Sequence, residues 1–259
     1  MRRLVLLALL AILLYAGYVV GGLPSHAEVR ALAKQDPGKT GVMAQREEEA
    51  LAAKRKPRTT QVFVPISRIS RNLVHAVIVA EDAKFFGHEG VDWDAIKESL
   101  EKDIAKRQFA AGGSTITQQL AKNLFFSTRK SVTRKLRELV VTRWLEADLT
   151  KKRILELYLN VIEWGDGVYG AEAAARRYYG TSAAELSPEA AAGLAAMIPS
   201  PRRINPRVSP AVFARAQKRV LWLMARAGYA QREIGRLGVE PPPVTVPEDE
   251  SGAEATEPE

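Results

Sequence analysis

The sequence predicts an all-α domain tethered to a membrane by one N-terminal helix. Three observations carry that expectation. A charge-free apolar run extends from Leu4 to Leu23. Apolar residues in the second half of the chain recur at steps of three and four. Nowhere do apolar and polar residues alternate over a run long enough to suggest a sheet. With 259 residues, the chain has room for one large domain or two small ones around a real core.

The run "LVLLALLAILLYAGYVVGGL" is about as long as a helix needs to cross the roughly 30 Å hydrocarbon layer. A cleaved signal peptide is the competing reading, with "SHA" before Glu28 as its cleavage site, but signal h-regions run only about 7–15 residues. Arg2 and Arg3 precede the run, so the positive-inside rule leaves residues 1–3 in the cytoplasm and exports everything after Gly22. Residues 24–60 are polar and broken by "DPGKTG", and the patch "MAQREEEALAAKRK" has a thin apolar face. They read as a stalk. A folded domain follows over 61–237, and the acidic, proline-rich 238–259 reads as a disordered tail.

Within the domain, "LVHAVIVA" is an apolar run that ends abruptly in "EDAKFFGHEG". A carboxylate at that end, Glu81 or Asp82, would be desolvated and its pKa raised toward a value useful for taking a proton; spacing does not choose between them. His88, beside glycines, reads as a brace for the loop. The segment "DWDAIKESLEKDIAKRQFAAGG" is weakly amphipathic. "GGSTITQQLAKN" then opens a helix: Ser114 and Thr115 can cap it, and Thr115 with Gln118 fits a capping box. A glycine loop feeding a helix N-terminus can hold an anion, although an ordinary capped helix has the same pattern.

"SVTRKLRELVVTRWLEADL" reads as a helix with Val132, Leu136, Leu139, Val140, Arg143 and Trp144 on one side and Ser131, Arg134 and Glu138 on the other. Glu138 lies among cations, so it would stay ionised and could orient them or bridge to a metal; a surface i,i+4 pair with Arg134 is the plainer reading. "KKRILELYLNVIEWG", "SPEAAAGLAAMI" and "AVFARAQKRVLWLMARAG" read as further helices, the second opening on a Ser-Pro pair and the last ending at Gly228.

The net charge of +8 suggests an anionic partner: a phospholipid surface, a phosphorylated substrate or nucleic acid, the last disfavoured outside the cytoplasm. The absence of cysteine excludes disulfides and thiolate metal sites.

"EDAKFFGHEG", "GGSTITQQLAKN", "RKLRE", "KKRILELYLN" and "RVLWLM" stand in the order and at about the spacings of the five motifs of the family 51 peptidoglycan glycosyltransferases, and "EWGDGVYGAEAAARRYYG" is also typical of them. With no transpeptidase domain following, the chain resembles the monofunctional members. The resemblance implies an α-helical, lysozyme-like head with a smaller membrane-associated jaw. It implies a single-pass enzyme of the inner membrane, its catalytic domain on the periplasmic side, that adds lipid II to a growing glycan strand with inversion and release of undecaprenyl diphosphate.

By motif, Glu81 becomes the base and Glu138 the second acid, assisting the diphosphate directly or through a divalent cation, Mg or Mn, with no cofactor otherwise required. Ser114, Thr115, Gln118, Gln119, Lys122, Asn123, Lys130, Arg134 and Lys135 become substrate- or diphosphate-binding positions, with Asp82, Phe85 and His88 supporting the site. Lys130 stands where the family more often has arginine, which loses a bidentate phosphate fork; Arg129 is beside it. The implied partners are lipid II, the nascent strand, membrane lipid and proteins of division or wall synthesis. Two other readings are a lytic, lysozyme-like enzyme, for which the basic and glycine-rich motifs have no use, and a non-catalytic scaffold that binds lipid II.

Overall fold

The computed structural model describes residues 1–94, 96–97 and 113–229. The weakly amphipathic segment expected to form the jaw, 92–113, lies largely outside these residues, and the expected tail, 238–259, wholly so.

Helix α1 (Arg2–Gly21) buries none of its side chains, and it is long and apolar enough to cross a membrane. Its last carbonyls, which have no partner within the helix, are taken by a side chain from elsewhere. Arg137 donates to Val19 O at 3.0 Å and to Tyr18 O at 2.5 Å.

The stretch expected to be a stalk instead packs on the domain. Helix α2 (His26–Ala31) opens with a Ser25–Glu28 capping box and sends Val29 and Leu32 into the main core. Helix α3 (Gly41–Ala52) buries Val42, Met43 and Ala50. Its thin apolar face suffices for two reasons. Gly41 permits close approach, since a Cβ there would lie 2.4 Å from Phe126 O. Gln45, itself buried, is satisfied by Thr128, whose N–H donates to Gln45 Oε1 at 2.6 Å.

The remaining helices enclose one core. Helix α4 (Arg71–Glu81) lies against α9 (Pro188–Met197) and α10 (Pro210–Arg226), while α5 (Ile116–Phe125) lies against α6 (Val132–Asp148) and α7 (Lys151–Val161). The central α9 is alanine-rich and buried on nearly every side, and helix α8 (Ala171–Tyr179) ends at Gly180 in the left-handed conformation, φ +67.

A small sheet departs from the all-helical expectation: β1 (Thr60–Gln61), β2 (Glu163–Gly165) and β3 (Val168–Tyr169) pair in the order β1-β3-β2. Strands of two or three residues carry no readable alternation. This is also why the helix expected over 151–165 stops at Val161.

Helix α6 turns its apolar stripe away from the core. Its buried residues are Glu138, Val141, Thr142 and Leu145, whereas Val132 is 77%, Leu136 39% and Leu139 37% exposed. The apolar stripe faces outward, flanking the contacts that Thr133 and Arg137 make with α1.

Asn160 joins α7 to the segment that follows β1. Fully buried, it accepts from Val64 N at 2.9 Å and donates to Val64 O at 2.9 Å. Asn160→Ala leaves both main-chain groups unpaired in the interior, and an expected loss of about 3 kcal/mol follows from roughly 1–3 kcal/mol per orphaned group. Urea unfolding of the detergent-solubilised protein checks this; an unchanged midpoint would contradict it.

Candidate active site

The segment "EDAKFFGHEG" splits its two acids into different jobs. Asp82 caps α4 and is 7% exposed. Its Oδ2 accepts from Ile116 N at 3.0 Å, a free N–H at the start of α5. His88 Nε2 lies 2.9 Å from Asp82 Oδ1. Because Gly90 N donates to His88 Nδ1 at 3.1 Å, the ring proton sits on Nε2 and is donated to Asp82. His88 thus links the Asp82 carboxylate to the Gly90 backbone. Thr115 Oγ1 closes the same knot, donating to Gly90 O at 2.6 Å and accepting from Gln118 N at 3.2 Å. Phe85 is buried beneath it, with Lys151 4.6 Å over its ring, whereas Phe86 is 65% exposed.

Glu81, the last residue of α4, carries one side-chain hydrogen bond among the described residues, from Gln119 Nε2 at 2.7 Å. The Gln119 amide is oriented in turn by the Tyr158 hydroxyl, which donates to its Oε1 at 2.8 Å. Burial pushes the Glu81 carboxyl above its ordinary pKa and Asp82 adds to the rise; the Gln119 bond and Lys122 oppose it.

Glu138 is 2% exposed, so its i,i+4 ion pair with Arg134 is buried rather than superficial. Lys135 Nζ lies 3.7 Å from its other oxygen, and also donates to Gln118 Oε1 at 2.7 Å and Ser114 Oγ at 3.1 Å. The expected capping box is therefore half formed. Thr115 caps the Gln118 N–H, but the Gln118 side chain turns to Lys135 instead of back to the cap.

Lys122 sits between the two acids. Burial pushes its pKa down, Glu138 and Glu81 push it up, and Arg134 and Lys135 push it down. Its ammonium makes no hydrogen bond or ion pair with a described residue, leaving its donors for a ligand. Lys135 is likewise lowered by burial and supported by Glu138.

These residues line a groove. A cavity of about 790 Å3 is walled by Ser114, Gln118, Lys122, Lys130, Arg134 and Glu138. It runs, through shared Gln119, Lys122, Thr128, Lys130 and Pro199, into one of about 740 Å3 that adds Asn123, Arg46, Glu163 and Arg202. Glu81 and Thr115 line a smaller cavity of about 260 Å3 that shares Ser114 with the first. Lys130 reaches the groove, while Arg129 beside it gives its carbonyl to Arg134 Nε at 2.6 Å.

The arrangement offers a desolvated carboxylate next to a field of cations, suited to taking a proton at one point and stabilising an anion at another. Glu138 already holds two cationic partners, and the described residues contain no group of three or more His, Asp or Glu able to hold a metal ion.

Three contributors went unassigned in the sequence. Tyr158 sits within "KKRILELYLN" and looks like core. Arg46 lies in the supposed stalk. Glu163 lies where a helix was expected.

A family model described as transglycosylase matches residues 47–225. The chain is 56% identical over 167 residues to a biosynthetic peptidoglycan transglycosylase of Dechloromonas aromatica (strain RCB), covering 64% of this chain and 72% of that one. It is 53% identical over 165 residues to a protein of the same description from Herminiimonas arsenicoxydans, covering 64% and 71%. A third, from Janthinobacterium sp. (strain Marseille), is 47% identical over 194 residues, covering 74% and 83%.

Proposed function

We infer the chemistry from one premise: this chain belongs to the transglycosylase family, and as a peptidoglycan glycosyltransferase it polymerises glycan strands. The substrates are lipid II and the growing strand carried on its own lipid diphosphate. The observation that carries the assignment of roles is the pair of carboxylates in opposite environments, one raised by burial and one buried among cations, with Lys122 between them.

Glu81 takes the proton from the 4-hydroxyl of lipid II as that oxygen attacks the anomeric carbon of the growing strand. The new O4–C1 bond forms as the C1–O bond to the diphosphate breaks, so the lipid diphosphate leaves with the bonding pair and the anomeric centre inverts. Asp82 is unsuited to the base role because both its oxygens hold the loop to α5. Lys130, Arg134 and Lys135, with Lys122 and the Ser114 hydroxyl, receive the developing negative charge, and Glu138 keeps those cations in place. Gln119, oriented by Tyr158, fixes the Glu81 carboxylate; Asn123 donates to Gln119 O at 2.8 Å. Helix α1 anchors the enzyme in the membrane with its N-terminus in the cytoplasm, so that the site meets its lipid-linked substrates in two dimensions.

Purified full-length enzyme incubated with labelled lipid II is expected to yield polymer, and with intact sacculi no soluble fragments. Release of muropeptides without polymer would overturn the transferase chemistry in favour of wall cleavage.

A further inference from the structure

Beyond Glu163 the groove does not end. It shares Arg46 and Arg202 with a further cavity of about 430 Å3, whose lining adds Arg55, Lys56 and Arg58. Among the described residues, two carboxylates line this cavity with the five cations and a third, Glu163, pairs with Arg46 at 3.0 Å; all three serve the inner ones. Glu49 pairs with Arg46 at 2.8 Å and Arg202 at 3.4 Å; Asp166 pairs with Arg202 at 3.5 Å and more loosely with Arg55 at 3.9 Å. Lys56 and Arg58 have no ion pair among the described residues.

The backbone holds this cluster in place. Lys54 adopts φ 53, a left-handed conformation unusual for a non-glycine residue, where α3 turns back and Arg55 N donates to Ala50 O at 2.8 Å. Two residues past Arg58, Thr60 N donates to Gly167 O at 2.8 Å. Gly167 itself sits at φ +71, and a Cβ there would lie 2.6 Å from Arg58 O. Arg55 and Arg58 are thus delivered by two fixed points.

A neutral glycan has no use for this charge, and the diphosphate is provided for at the other end of the groove. The part of a disaccharide-peptide substrate that carries further negative charge is its peptide. The geometry points to a carboxylate-binding site, formed by Arg55, Lys56 and Arg58 with Arg202, for the peptide borne by the growing strand as it lies along the groove. This rests on the glycosyltransferase reading and names what that site holds beyond the sugars.

The test compares two substrates, lipid II with its peptide carboxylates free and lipid II with them amidated, in the wild type and in the Arg55→Ser/Lys56→Ser/Arg58→Ser variant, whose altered side chains are exposed. The wild type is expected to use the free-carboxylate substrate with roughly tenfold higher kcat/KM, the size of one charge-assisted hydrogen bond. The variant should lose that preference through a raised KM, with kcat and its rate on the amidated substrate unchanged. An equal preference in both proteins overturns the proposal. So does a variant that keeps the preference but loses binding to vesicles of anionic phospholipid, which would make the cluster a membrane contact. Failure of the glycosyltransferase reading would look different: no polymer from either substrate with the wild type.

Discussion

Glu81→Gln is expected to lower the rate of polymerisation about 10²–10⁴-fold, the usual contribution of a positioned general base, while lipid II binding measured on the same protein stays within about twofold. The substitution is nearly isosteric. A glutamine carbonyl can still accept the hydrogen bond that Gln119 Nε2 gives Glu81 at 2.7 Å, so the groove keeps its shape and loses a proton acceptor. A variant that still makes polymer at the wild-type rate would refute the assignment.

The same variant carries a pH signature. Burial, aided by Asp82, raises the Glu81 pKa against the opposing pull of Gln119 and Lys122. In the wild type, the acidic limb of kcat/KM should therefore fall at a higher pH than an ordinary carboxylate would give, and the variant's residual activity should lack that limb. Stability moves with it. A folded-state pKa above the unfolded value means that the native protein holds the proton more tightly. The resulting stabilisation is complete below the unfolded pKa and is lost as pH rises through the folded one. At neutral pH the ionised Glu81 is a burden on the fold, so Glu81→Gln should melt higher than wild type there, with the difference vanishing in acid.

The conflict between an apolar run and the acids that end it was visible in the sequence, because a helix that spends its length on core residues has a chemical reason to finish on a carboxylate. What the residues left open was which acid. The observation that favours Glu81 under the proposed roles is that Asp82 is bonded to Ile116 N and to His88, the first of these a contact between positions far apart in the chain.

Helix α6 shows a different limit. Its period of three to four was readable, but a period alone does not say which side is buried: Val132 faces outward while Glu138 is buried. Arg46 was hidden because a thin apolar face cannot announce that a glycine and a satisfied glutamine will let α3 dock. The end of α7 and the hairpin after it were illegible because the strands are too short to have a period.

The buried Glu138 yields the second large effect. Glu138→Gln should lower turnover about 10²-fold at neutral pH, the scale of losing one element of charge stabilisation in a closed site. Glu138 is the largest influence raising the pKa of both Lys122 and Lys135, each of which burial pushes down. Without its charge both lysines drop further, and Arg134 loses its partner. The diphosphate then meets a weaker field of cations.

The loss should consequently be partly reversed by lowering the pH, which recharges lysines of depressed pKa, until protonation of Glu81 cuts the rate from the acid side. The variant's pH–rate bell is thus narrower than the wild type's, with its alkaline limb moved toward acid. Added Mg or Mn should not restore the rate, since Glu138 acts on cations of the protein. Removing one member of a buried ion pair costs about 3–5 kcal/mol, so the double variant Arg134→Gln/Glu138→Gln, which removes both charges, separates misfolding from lost chemistry. It should recover thermal stability without recovering turnover. A Glu138→Gln enzyme with wild-type turnover and an unmoved alkaline limb would remove Glu138 from the diphosphate's cation field.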